Sequence, residues 1–130
     1  MRSLSFGTEQ VDKDRFDILY GGACVSERGI MRTELNTFNR IMAKFEEVAK
    51  PIDGMPEKAP VKFELGDTGG TIILEEPEYK LLNDLHDVIR WGKIKAKEAE
   101  DTYKWLAAIP RTSLKKVGNN IEEVEEHVPG

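Results

Sequence analysis

The sequence contains one cysteine, Cys24, and only two histidines, His86 and His127. A lone cysteine excludes an internal disulfide, and these three residues match no zinc-ligand spacing. There is no run of about 18 apolar residues, so no membrane-spanning helix is expected. The stretch Met1 to Phe6 lacks an apolar secretory segment, which points to a cytoplasmic protein. No phosphate-binding loop is present: Asp67-Thr68-Gly69-Gly70 has neither the length nor the lysine. Net charge is −5, whereas a general nucleic-acid binder is basic. Much of the negative charge sits in Glu122, Glu123, Glu125 and Glu126 near the C-terminus, so a local basic patch elsewhere remains open.

What the sequence does have is a strongly patterned centre, Val61 to Trp91. Val61, Phe63 and Leu65 alternate with Lys62, Glu64 and Gly66, the period of a strand with one apolar face. Gly69-Gly70 allows a tight reversal. Thr71 to Glu75 is β-branched and returns as a second strand, which predicts an antiparallel β-hairpin. Three glutamates and Pro77 then open a helix, where carboxylates suit the dipole and proline loses no hydrogen bond. Leu82, Leu85 and Ile89, flanked by Leu81 and Val88, mark its apolar face. Arg90 falls in its last turn, and Gly92 is placed to end it in a left-handed cap. An isolated hairpin is marginal in water, so this helix should pack on it.

The remaining elements follow from similar signals. Ser3 to Phe6 reads as a short edge strand. Asp12 to Cys24 reads as a short helix with Phe16, Leu19 and Tyr20 on one side, although Gly21-Gly22 weakens its second half. Cys24 reads as a small buried apolar residue. Thr33 is a plausible N-cap for a helix whose stripe is Leu35, Phe38, Ile41, Phe45 and Val48; Pro51 stops it at Lys50. Residues 51–60 hold three prolines and a glycine and form a connector. A last helix ends before Pro110, with Ala96, Ala99, Tyr103 and Leu106 on one face and Trp105 and Ile109 at its border. Residues 1–110 thus form a single compact domain. Residues 111–130 form an acidic tail, a frayed helix or disordered.

Chemistry is thin. His86 has Asp84, Asp87 and Arg90 nearby in sequence, but residues one or two apart on a helix do not face each other, so His86 reads as structural. Glu75, Glu76 and Glu78 with Asp67 have the oxygen ligands of a divalent cation site, but helix-start electrostatics already accounts for the glutamates. No catalytic residue, metal or cofactor is assigned. Lys93, Lys95 and Lys97 break a local rule, because they open a helix where positive charge opposes the dipole. With Arg90 they can face a phosphate, a nucleic-acid backbone or an acidic protein surface. Trp91 and Trp105 bracket them. Tryptophan completes cores and is also enriched at interface hot spots.

The order of elements resembles that of small tailed-phage accessory proteins. The likeness covers residues 14–110: a small helix, a Gly-led loop, a helix opening Met31-Arg32-Thr33-Glu34-Leu35 and the pair Arg40-Ile41. It continues through Ile73-Leu74-Glu75-Glu76-Pro77-Glu78-Tyr79 to a helix closing on Arg90-Trp91. The C-terminal tail departs from that pattern. The resemblance implies a phage or prophage source and a compact non-enzymatic role. The host bacterial cytoplasm or the virion would be its location.

These readings predict an α+β fold: three or four helices on a two-stranded antiparallel β-hairpin, extended by an N-terminal edge strand at Ser3–Phe6. The expected function is protein–protein contact, in virion assembly or inhibition of a host protein, through Arg90, Trp91, Lys93, Lys95, Lys97 and Trp105. The partner is a phage structural protein, a host protein or a second copy of the chain, with no membrane. The alternative is a nucleic-acid-associated regulator using the same cations.

Overall fold

The computed structural model describes residues 1–117 and 120–125. Strand β1 (Arg2–Phe6) leads to helix α1 (Gln10–Phe16), a π-helical segment (Asp17–Gly21) and helix α2 (Gly22–Val25). A 3-10 turn (Arg32–Glu34) opens helix α3 (Leu35–Glu47). Strands β2 (Ala49–Pro51), β3 (Phe63–Leu65) and β4 (Gly70–Leu74) follow, then helices α4 (Glu76–Asp87) and α5 (Lys93–Ala108). Strands β5 (Thr112–Val117) and β6 (Asn120–Glu125) end the described chain. The fold is α+β, as expected, and the N-terminal strand does pair. Among the described residues no helix is long and apolar enough to cross a membrane.

The pairing of the central strands differs from the expected hairpin. β4 pairs antiparallel with β1, Leu4 opposite Ile72 and Phe6 opposite Gly70, while β3 pairs with β2. The reason lies in the faces. Leu4, Phe6, Ile72 and Leu74 alternate inward and are all buried, so β1 and β4 together close one side of the core. Gly69 does take a left-handed φ of 63°, but its small size serves another contact. A Cβ there would lie 2.2 Å from the Phe6 carbonyl and 2.6 Å from that of Gly7.

Under this sheet lies an aromatic cluster. Phe16 meets Phe6 edge-on at 5.8 Å, stacks on Tyr20 at 5.4 Å and meets Phe45 at 5.7 Å. Ile41 and Phe45 bring α3 into the core, and Leu81, Leu82 and Leu85 bring α4. The predicted α3 stripe holds in its middle; Phe38 is half-buried and Leu35 is exposed. The Thr33 cap is replaced by the 3-10 turn, where the Glu34 carboxylate accepts the Met31 N–H at 3.0 Å. Cys24 is half-buried rather than buried.

Three helix boundaries also differ. α3 stops at Glu47, with Val48 as its cap, and Lys50 and Pro51 lie in β2. α4 stops at Asp87, with Val88 as its cap, so Arg90 lies beyond it. Gly92 has φ −72° and ψ 163° and starts α5 instead of ending α4. The expected frayed helix or disordered tail is replaced by the β5–β6 hairpin over its described part. Ile121 and Val124 sit in a strand whose register sets Lys115 opposite Glu122. Four glutamates crowded on one helical segment would repel. Val128 lies outside the described residues. Met1 and Thr112 exchange both backbone hydrogen bonds, at 2.9 and 2.8 Å, which ties the start of β5 to the outer side of β1.

Candidate functional site

Five of the six expected contact residues, Arg90, Trp91, Lys93, Lys95 and Lys97, lie where α4 gives way to α5, and Trp105 does not. The Ser26 hydroxyl donates to the Leu85 carbonyl at 2.6 Å, holding the end of α2 against the end of α4. Beside this tie is a groove of about 230 Å³ lined by Val25, Glu27, Val88, Ile89 and Arg90. Val25 and Val88 are each about half exposed, and Ile94, on the first turn of α5, is 88% exposed.

Behind the groove the two helices are locked by a hydrogen-bonded chain. The His86 ring is buried. Its Nε2 lies 2.9 Å from the Leu19 carbonyl and its Nδ1 lies 2.6 Å from the Tyr103 hydroxyl. A carbonyl only accepts, so Nε2 carries the proton and Nδ1 accepts from Tyr103. The Tyr103 oxygen in turn accepts the Trp91 indole N–H at 3.0 Å. Burial pushes the His86 pKa below its ordinary value and pushes that of Tyr103 up. His86 is therefore a neutral strut with both nitrogens used, and it is not poised as a base. Its partners are 17 and 67 residues away; the sequence signal for them was Gly22, whose missing Cβ makes room for the ring.

The cations do not form one patch. Lys93, Lys95 and Lys97 are all exposed. Spacings of two on a helix fall on opposite sides, so Lys93 and Lys97 share a side, with Ile94 adjacent, and Lys95 points elsewhere. Lys95 faces Asp17, whose carboxyl burial pushes up and Lys95 partly restrains. Among the described residues none of Arg90, Lys93, Lys95 and Lys97 forms an ion pair. Trp91 is half-buried beside them. Trp105 lies about 18 Å further along α5, at 1.5 Å per residue. It is half-buried, 5.6 Å from the Phe6 ring, with Arg15 over its face at 4.8 Å.

The acidic residues considered for a cation diverge. Glu78 is buried and turns to Lys44 and Arg40 of α3. Glu76 meets Arg2 at 3.1 Å and the Met1 amino group at 3.5 Å; burial pushes its pKa up, but these cations more than offset that and hold it below the usual value. Asp67 pairs with Lys50 at 2.6 Å. Among the described residues no group of His, Cys, Asp and Glu is arranged to hold a metal ion. One polar cavity, about 210 Å³, that no sequence pattern marked is lined by Gln10, Lys13, Asp17, Lys50, Glu64, Leu65 and Asp67. Its lysines and carboxylates come from α1, the π-helical segment, β2, β3 and the turn after β3, and Lys50 pairs with Asp67 there.

No protein-family model, curated protein or solved structure matches this chain.

Proposed function

We propose that this chain is a non-enzymatic accessory protein that works by protein contact through the α4–α5 junction. The setting that the sequence resemblance implies is a tailed phage, in virion assembly or in inhibition of a host protein. The observation that carries the reading is Ile94. It is a large apolar side chain at 88% exposure, adjacent to Lys97 and Lys93 and following the Val25–Val88–Ile89 groove. Exposed apolar residues grouped beside cations suit a partner surface that is apolar at its centre and acidic at its rim.

The unpaired cations also favour a second reading, contact with a nucleic-acid backbone. A photo-crosslinker placed at Ile94, with Glu57 in the 51–60 connector as the control position, separates the two. Protein contact gives one discrete crosslinked protein in producing bacteria from position 94 and none from position 57. Nucleic-acid contact instead gives binding of the purified chain to DNA or RNA that weakens steeply with salt as counterions are released. Neither result leaves the junction without a contact function.

A further inference from the structure

We infer that the outer edge of β4 pairs with the same edge of a second copy of this chain, making a four-stranded sheet across a two-fold axis. This goes beyond the proposed function and uses none of the junction residues.

The direction of the β4 backbone follows from its pairing with β1. Met1 exchanges both backbone hydrogen bonds with Thr112, so its polar groups face away from β4. Direction alternates along a strand, so Arg2, Leu4 and Phe6 face β4 and bond to their partners Leu74, Ile72 and Gly70. Thr71 and Ile73 must then aim their N–H and C=O groups outward. The 3.1 Å contact between the Ser5 and Thr71 hydroxyls agrees, since side chains come closest at the pairs that are not backbone-bonded. Among the described residues no backbone hydrogen bond meets Thr71 or Ile73 on that outer side.

The strand at this edge also carries no guarding residue of its own. Natural sheets protect exposed edges with charge or proline. β1 carries Arg2, β2 carries Lys50 and Pro51, and β3 carries Glu64, while the sequences of β5 and β6 hold lysines and glutamates. β4, Gly70-Thr71-Ile72-Ile73-Leu74, has no charged residue and no proline, and Ile73 is exposed on its outer face. A groove of about 410 Å³ lies at this edge, lined by Met1, Thr71, Ile72, Ile73 and Glu75 together with Lys44 and Glu47 of α3.

A second copy fits this edge by symmetry. An antiparallel two-fold at Ile72 places Thr71 opposite Ile73 of the second copy, and the reverse. All four outward backbone groups of each chain are then satisfied. The groove carries both signs of charge, Lys44 against Glu47 and Glu75, with Lys44 also paired to Glu78 of its own chain, so two copies do not face each other with a single sign of charge.

The test is sedimentation and native mass measurement of the full chain, with two edge variants. Ile73→Lys adds a guarding charge on an outward side chain. Ile73→Pro removes an outward N–H without touching a bond to β1. Wild type should dimerise with concentration, and both variants should be monomeric at the same concentration with unchanged circular dichroism. On a Cys24→Ser background, a Thr71→Cys chain should form a disulfide with an Ile73→Cys chain, and neither should form one with itself. A wild type that stays monomeric up to its solubility limit overturns the inference, even if a strand from another protein binds the edge. So does a dimer that persists in both folded variants, or disulfides without the mixed-pair preference. If either variant fails to fold, the cysteine pairing decides.

Discussion

His86 joins α4 to the π-helical segment and to α5 through one buried ring. Burial disfavours its imidazolium, with the Leu19 bond and Asp87 only partly opposing that, so the folded pKa lies below 6.5. The unfolded chain therefore binds more protons in the window that opens at about 6.5 and runs down to the depressed folded value. Stability rises with pH where the unfolded state holds more protons, so it should be complete above that window and fall as pH drops through it. The depressed carboxylates act lower: Glu34, held to about 2 chiefly by Arg28, and Glu76 lose their contributions only as pH falls below their ordinary 4.5. Asp17, raised by burial, has the opposite sign. Urea unfolding at pH 5 and pH 7 should show wild type weaker at pH 5, and His86→Gln should remove most of that difference. Equal pH dependence in both proteins would assign the effect to another group.

The adjacent glycines allow a paired test at the same scale. A Cβ on Gly22 would lie 2.4 Å from His86 Cε1 and 3.0 Å from Ile89 Cδ1, while one on Gly21 meets only a Val61 methyl at 3.9 Å. Gly21 has a helical φ of −61°. Gly22→Ala should therefore cost about 1–3 kcal/mol through overpacking. Gly21→Ala should stabilise by about 0.4–1 kcal/mol, because it restricts the unfolded chain. Denaturant midpoints of the two single variants check both signs.

At the scale of elements, α4 shows how a helix start and an ion pair become one device. The Glu78 carboxylate accepts the Glu75 N–H at 3.0 Å, closing the first turn, and the same group pairs with Lys44 and Arg40 of α3. Glu78→Ala removes all three contacts at once. Lys44 and Arg40 are partly exposed and can turn to water, so the cost should be about 1–3 kcal/mol rather than that of a stranded buried charge. A thermal or urea melt reads it directly. Much at this scale was legible in the sequence. The spacing of Ile41 and Phe45, and of Leu81, Leu82 and Leu85, marked the buried faces, because helix periodicity is a local property. Strand partners were not legible. Val61–Leu65, Gly69-Gly70 and Thr71–Glu75 satisfy every local rule for a hairpin, yet β4 answers to Leu4 and Phe6 about 70 residues earlier, and no local pattern carries that distance. The junction was legible as a cluster of residue types. Its division was not, because Lys95 is set apart by helix phase and by Asp17, and Trp105 by its packing on Phe6.

At the scale of the whole molecule, a chain of net charge −5 keeps unpaired cations at one helix start, where they oppose its dipole. Local stability does not favour that placement. Glutamate at Lys93, the first residue of α5, should stabilise the helix by about 0.3–1 kcal/mol at low ionic strength, and it would stand four residues before Lys97, a favourable helical pair. Lys95 and Lys97 are left in place, since a carboxylate at 95 would face Asp17 and one at 97 would stand four residues from Asp101. The variant Lys93→Glu should therefore melt higher than wild type while its contact with an acidic partner weakens. That weakening should appear chiefly as slower association with a reduced dependence on salt, because rim charges steer encounter more than they hold the complex. Crosslink yield from position 94 at two salt concentrations, alongside a melting curve, reads both effects on one protein. A rise in melting temperature with loss of contact would mark Lys93 as kept for binding. A fall in melting temperature with contact unchanged would show that it supports the fold at Ile94 and would leave the junction's recognition to Val25, Val88 and Ile89.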